Sequence, residues 1–597
     1  MGDPWEILVE LKRRRVFRAL AGWGIASFAV LQTVEPVLHA YHLPEWTLTV
    51  VVTLLAAGFP VTVVLAWVFD LTAKGITRTV QLGGNGPSAS SLSRPRLVLF
   101  LLAIGLLSAA PGLVYFFAWP GVAWRRAGPS SPAATAPGPP SIAVLPFANL
   151  SSDKEQEYFS DGIAEEILNA LAQVDGLRVI GRTSSFSMKG KNEDLRIISQ
   201  RLGAANLLEG SVRKAGSRVR ITAQLLETSS GSHLWSQEFD RDLVDVFAVQ
   251  EEIARAVVTA LRLKLLPGQA EARPTVDPKA HDQYLLGVAY LARGSGDAYG
   301  KAVEVLRKAV GIDPGYAKAW AALSAALFWH ADQSVAGDFR KEWPEALAAA
   351  DRAIALAPGL SDGYLARGTL QTTALQDYGA ARADLERARS LSPQNPAVLS
   401  RYGSLLAATG KLPQAVAVFQ EATAIDPLAP DTPVALSMAY LGTGQLEQAE
   451  GTARRALEIA PDNGRAARNL GFALLLQGRL PEARAAFARS TNPLFQAMGE
   501  VMVDHAQGLR ADSRRKLDAI LSPASSPSTG ILDGSWYQIA QMRAWRGEPD
   551  QAFAALDRAA TFHDAGLIYF KYDPFLKSLR GDPRYGALLN GMKLPPD

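Results

Sequence analysis

Not one cysteine occurs in the 597 residues. That excludes disulfides, thiolate nucleophiles and zinc sites built on cysteine, and it leaves an oxidising compartment open. Histidine is scarce as well, with 7 scattered along the chain. Excess charge of one sign is missing: a formal balance of +3 gives no global attraction to nucleic acid, and no nucleic-acid partner is expected. A phosphate loop is missing too. "GDAYGKA" (Gly296–Ala302) imitates one, but three residues separate its glycines instead of four. Alanine also stands where Ser or Thr should hold magnesium, and the stretch lies between two helices rather than after a strand. No Ser–His–Asp order suggests nucleophilic catalysis, so neither cofactor nor metal nor catalytic residues are expected.

What the chain does have is length, too much for a single core, and a strongly apolar beginning. Three segments, 16–40, 46–69 and 97–119, are each long enough to cross roughly 30 Å of hydrocarbon as a helix. The second and third carry no charge; the first holds Gln32 and Glu35 near its far end. Trp23, Trp46, Trp67, Trp119 and Trp124 mostly lie near segment ends, as in an aromatic belt. The basic start "KRRR" lacks a following small-residue cleavage site, which makes a retained anchor of residues 1–126 the expectation. Lys12 to Arg15, Arg18, Lys74, Arg78, Arg94 and Arg96 flank the spans on one side, and the Tyr41–Glu45 turn has no Lys or Arg. Basic loops stay cytoplasmic, so the amino terminus faces the cytoplasm and everything after Trp119 faces the periplasm of an inner membrane. Arg125 and Arg126 fall on the outer side in this arrangement. Glu35, His39, His42 and Glu45 gather around the first turn without completing a metal-ligand set, and are read as interface polarity.

A Pro/Ala/Gly/Ser spacer fills residues 127–140. Residues 141–266 then alternate strands and helices. Ile142–Leu145 is a strand. Asp161–Gln173 is a helix burying Ile163, Ile167, Leu168 and Leu171, with Ser160 or Asp161 as its cap and Glu165 and Glu166 in its first turns. "LRVIGRTSS" is a second strand and "NEDLRIISQRLGA" a second helix. Further strands turn at Ala215–Gly216 and Ser229–Gly231, and Asp245–Leu265 closes the domain. The acidic loop with Asp153, Glu155, Glu157 and Asp161 lacks the spacing and turn glycine of a calcium loop. It reads as a solvated strand-to-helix connection.

The stretches "SIAVLPFANLSSDKEQEYFSDGIAEEI", "RVIGRTSSFSMKGK", "LEGSVRKAGSRVRITAQL" and "LWSQEFDRDLVDVFAVQEEIA" together resemble the TolB amino-terminal-like (FlgO-like) domain. The resemblance implies a non-enzymatic α/β domain of bacterial envelope or signalling proteins, often placed before tetratricopeptide repeats. It implies no ligand. The anchor is similar to one recurring in such proteins, through "LKRRRVFRALAGWGIASFAVLQ" and "GFPVTVVLAWVFDLTAKGITRT". Many relatives carry a cyclase, winged-helix or kinase domain ahead of the module, and none is expected here.

From residue 278 to 490 a period sets in. Pro358, Pro393, Pro427 and Pro461 follow one another at 35, 34 and 34 residues; Pro314 precedes by 44, which leaves an insert near "HADQSVAGDFRKEW". Ala309, Ala353, Ala388, Ala422 and Ala456 keep the same phase. This pattern resembles the tetratricopeptide repeat. Such repeats stack into a superhelix whose first helices line a concave face. Counting from the prolines puts His281, Tyr284, Lys318, Asp362, Thr369, Ser400, Ser404, Met438, Arg465, Arg468 and Phe472 on that face, where protein or peptide partners would bind. Residues 491–597 read as a degenerate repeat followed by a capping segment.

The expected fold class is multi-domain: an all-α transmembrane anchor, a small α/β sandwich domain, then an α-solenoid. The expected role is a non-enzymatic, membrane-anchored interaction scaffold of the bacterial envelope, with the lipid bilayer and protein or peptide segments as partners. The alternative is a cytoplasm-facing regulatory or sensory component of a cyclase-like or transcriptional signalling system.

Overall fold

The computed structural model describes residues 30, 69–72, 75–78, 140–191, 193–261, 276–333, 338–522 and 535–595. The chain divides into two compact units, Met1–Thr135 and Ala136–Asp597.

In the first unit the described residues are Val30, which is helical, and a small hairpin. Strand β1 (Phe69–Thr72) pairs antiparallel with β2 (Gly75–Arg78), Leu71 opposite Ile76. Phe69, expected to end the second span as a helix, opens a strand instead. The rest of the three predicted spans lies outside the described residues. Among the described residues no helix is long and apolar enough to cross a membrane.

The second unit begins with a mixed sheet. Its strands are β3 (Ser141–Val144), β4 (Ala148–Asn149), β5 (Arg178–Val179), β6 (Asn206–Ala215), β7 (Arg218–Glu227) and β8 (His233–Asp242). The order is β5-β3-β6-β7-β8. β3 runs parallel to both neighbours, β4 extends it along β6, and β6-β7-β8 form an antiparallel meander. Helices α1 (Glu157–Leu171) and α4 (Val246–Ala260) cover one face. The short helix α2 (Arg182–Phe186) and α3 (Leu195–Leu202) lie by the other face of β3 and β5.

Ile163, Ile167, Leu168 and Leu171 of α1 are buried, as their spacing requires. The start of α1 differs from expectation. It begins at Glu157, so Ser160 and Asp161 lie inside the helix and cap nothing. Asp153 performs the capping one turn earlier, its Oδ1 accepting the Glu155 N–H at 2.8 Å. "LRVIGRTSS" is a strand only at Arg178–Val179; from Arg182 it is helical. The closing helix ends its described course at Ala260.

Eight helix pairs follow among the described residues: α5 (Pro278–Arg293) with α6 (Gly296–Ile312), α7 (Ala317–Gln333) with α8 (Phe339–Leu356), α9 (Ser361–Thr373) with α10 (Tyr378–Leu391), α11 (Pro396–Ala408) with α12 (Leu412–Ile425), α13 (Asp431–Thr443) with α14 (Leu446–Ile459), α15 (Gly464–Leu476) with α16 (Leu480–Ala488), α17 (Pro493–Ala506) with α18 (Arg510–Leu521), and α19 (Trp536–Trp545) with α20 (Pro549–Thr561). Close packing explains the period. A Cβ added at Gly403 would come within 2.7 Å of the Phe419 ring, and one at Gly471 within 2.7 Å of Phe487. Each glycine lets the two helices of its pair meet across an aromatic ring. The phased alanines Ala309, Ala353, Ala388, Ala422 and Ala456 are all fully buried at the same crossing. Asn395 and Asn463 cap α11 and α15, accepting backbone N–H groups. The predicted insert lengthens α7 and α8 to 17 and 18 residues, and Pro344 is accommodated inside α8. Regular pairing also continues past Ser490 through α17 and α18. Two 3-10 turns, Ala565–Tyr569 and Pro574–Leu579, and helix α21 (Pro583–Gly591) end the chain.

Candidate interaction face

The inner helices of the array are α5, α7, α9, α11, α13, α15, α17 and α19. Two parts of the same chain cover much of them.

The first is helix α1 of the α/β domain. Glu166 is buried at the contact, and Lys318 Nζ on α7 meets its carboxylate at 2.5 Å. The Tyr284 hydroxyl on α5 donates to the same carboxylate at 3.4 Å. Beside them the buried His281 ring lies with Nδ1 3.0 Å from the Tyr316 hydroxyl. Asp362, at the start of α9, faces this cluster; burial pushes its carboxyl up while Lys318 pulls it down. Glu165 pairs with Arg182 Nε at 2.6 Å. At the rim Asp282 accepts from Tyr158 at 2.9 Å and Lys214 at 2.8 Å. All four residues predicted for the start of the concave face, His281, Tyr284, Lys318 and Asp362, therefore gather around α1.

A second anchor of the domain has no signature in the sequence. Asp426, in the loop after α12, accepts the Ser184 backbone N–H at 2.7 Å and the Ser184 hydroxyl as well. That hydroxyl accepts the Leu428 N–H at 2.8 Å, and the Gly181 N–H donates to the Ile425 carbonyl at 2.9 Å. A side chain at Gly181 would land on the Asp426 carboxyl. Leu428 packs into the small core between α3 and the sheet. In the sequence Asp426 belongs to one of the repeated "IDP" marks, which looks like a helix-end signal and nothing more.

The second cover is the C-terminal segment. The Phe575 ring lies tilted against the buried Phe472, centroids 4.6 Å apart, and Tyr572 closes over Gly442. The Arg468 guanidinium is buried, bonded to Asn469 Oδ1 and lying 4.7 Å from Phe495 and 5.7 Å from Tyr569. Met438 is buried, and His563 reaches the Trp343 ring at 6.1 Å. Thr369 is buried with its hydroxyl returned to the Leu365 carbonyl.

Accessible positions remain between these covers. Ser400 and Ser404 are half-buried, and Ser404 donates within α11. Arg465 pairs with Asp431 at 2.6 Å, its side chain about half exposed. Arg401, absent from the sequence-derived set, lies over Trp329 at 5.1 Å; burial and Arg465 lower its pKa. An Arg stacked on Trp between repeats has no period in sequence to betray it.

The acidic loop has structural employment. Glu157 and Asp161 grip Lys189 at 2.7 and 2.6 Å, and Asp153 caps. Among the described residues no three metal-ligating side chains converge. "GDAYGKA" forms about the first two turns of α6.

Burial makes His281 a pH reporter. It lowers the ring from 6.5 to about 4. A depressed pKa means the folded state binds fewer protons. Its stability contribution is complete above pH 6.5 and disappears as pH falls through 4, a total of about 3 kcal/mol. Asp564, pushed up to about 6 by burial, works in the opposite sense. The difference between wild type and His281→Gln isolates the histidine. Denaturation at pH 7 and pH 4 should show a shallower acid loss in the variant; equal losses would refute the assignment.

Family comparison agrees with the architecture of the array. Two tetratricopeptide-repeat family models match, at residues 373–431 and 434–493. The C-terminal region carries tetratricopeptide repeats. A curated relative from Rhizobium meliloti (strain 1021), named "Putative adenylate cyclase 3", is 47% identical over 191 residues, 32% of this chain and 32% of its own length. The chain thus spans about a third of that relative. Among solved structures, a thermophilic TPR protein of Thermus thermophilus is 22% identical, with 33% of this chain and 99% of that chain covered, at a TM-score of 0.28. Pseudomonas aeruginosa pilF is 15% identical, covering 37% and 96%, at 0.30.

Proposed function

We propose that the chain is a membrane-anchored, non-enzymatic scaffold of the bacterial envelope that holds protein or peptide partners through its repeats and its α/β domain. The observation that carries this reading is the repeat array, with an α/β domain bonded to it at both Glu166 and Asp426. Repeat stacks of this kind present extended surfaces for polypeptide partners. The strip around Ser400, Ser404 and Arg465 is the part of the inner surface offered to a partner; Tyr284 and Lys318 hold α1, and Arg468 and Phe472 hold the C-terminal segment. Anchoring rests on the three apolar segments, and periplasmic placement on the distribution of Lys and Arg around them. The TolB-like assignment of residues 141–266 rests on the wording of the strand and helix stretches.

The name of the curated relative favours a second reading, a cytoplasm-facing regulatory part of a cyclase-like system. One experiment separates the two. A protease site is inserted in the Ala127–Pro140 spacer and protease is added to intact spheroplasts. Cleavage from outside supports the envelope scaffold. Cleavage only after lysis rejects it and leaves the signalling reading.

A further inference from the structure

A cleft of about 680 Å³ opens at the carboxyl end of β3 in the α/β domain. Its volume is that of a small-molecule site. Its position is also telling. From β3 the chain passes through α1 to β5 on one side, then returns to β6 on the other. In open α/β sheets the crevice at such a reversal, outside the carboxyl ends of the strands, is where ligands bind.

The floor consists of two cross-strand pairs, Glu209 opposite Gln224 and Ser211 opposite Thr222. All four are half-buried. No hydrogen bond or ion pair joins their side chains to another of the described residues, so their polar groups face the cleft unspent. Met188, Leu195 and Ile198 supply an apolar wall. The charges around the cleft sort themselves. Lys189 is consumed by Glu157 and Asp161, and Glu193 by Arg201 at 2.9 Å. Lys191, exposed at the rim, has no carboxylate partner among the described residues. Lys189 thus serves two carboxylates at one edge, and the charged lining groups with no ion-pair partner among the described residues are Glu209 on the floor and Lys191 at the rim.

We infer that this cleft binds a small zwitterion with an apolar side chain, a free amino acid or short unblocked peptide, its amine on Glu209 and its carboxylate toward Lys191. Ser211, Thr222 and Gln224 orient the polar backbone of the ligand, and Met188, Leu195 and Ile198 receive its side chain. The inference is independent of which side of the membrane the domain faces.

Calorimetric titration of the full chain in detergent tests it, with leucine, methionine, phenylalanine and dileucine as probes. At least one should bind saturably. Acetylating its amine or esterifying its carboxylate should each weaken binding at least tenfold, as should Glu209→Gln and Lys191→Met. Blocked ligands need no variant, so the test survives a variant that fails to fold. Absence of binding by all four probes overturns the inference. So does binding that tolerates either blocking group, since a site needing one charge is not a zwitterion site.

Discussion

Replacing Lys318 by methionine should cost about 3 to 5 kcal/mol of unfolding free energy, the usual loss when one partner of a buried ion pair is removed. Glu166 is the reason. Its side chain is 4% exposed and that of Lys318 is 26% exposed, so the carboxylate, not the ammonium, suffers without its partner. The Tyr284 hydroxyl at 3.4 Å is a poor substitute for a cation. Part of the loss is returned by solvent that already reaches the lysine, which places the expectation toward the lower end. Lys318→Arg should keep the pair and lose less than about 1 kcal/mol. Glu166→Leu combined with Lys318→Met should recover most of the loss, because a buried pair is often replaceable by apolar packing. Urea midpoints of the four proteins decide it. A Lys318→Met loss below about 1 kcal/mol would mean that the pair behaves as a surface contact and that the α/β domain is held by Asp426 and packing.

That interface also marks the boundary of what sequence reading can reach. The repeats are legible because their cause is periodic: Gly403 and Gly471 recur where helices cross, and the prolines recur where helices end. Core positions of α1 are legible for the same reason. The repeat phase also places His281, Tyr284, Lys318, Asp362, Met438, Arg468 and Phe472 on the inner helices. What lies against them was not legible. A concave face built for another chain and one filled by α1 or by Phe575 obey the same local pattern. Lys318 and Glu166 are 152 residues apart, and no spacing rule connects them. The early start of α1 is a smaller case of the same limit. Ser160 and Asp161 look like caps, but Phe159 is buried under Lys214 and the helix extends to include it.

The C-terminal cover yields the second large effect. Asp573 is fully buried, and its carboxylate accepts three hydrogen bonds, from the Tyr537 hydroxyl at 2.8 Å, Gln541 Nε2 at 2.5 Å and the Phe575 N–H at 2.9 Å. Burial pushes its pKa up and these donors pull it back. Asp573→Ala removes the acceptor and keeps the donors buried. Each stranded donor costs about 1 to 3 kcal/mol, so the expected loss is about 3 to 5 kcal/mol after partial relaxation. Asp573→Asn keeps one acceptor oxygen and should lose roughly half as much. The loss should also be local. The Phe575 N–H fixes the turn that places its ring on Phe472, so hydrogen exchange of residues 565–579 should accelerate before that of α11 and α13. Met438, Arg468 and Phe472 would then become reachable, and a peptide that binds the array should bind the variant more tightly. If exchange in this segment and in the inner helices rises together, the segment is an integral wall of the array, and the inner surface has no second, open state to offer.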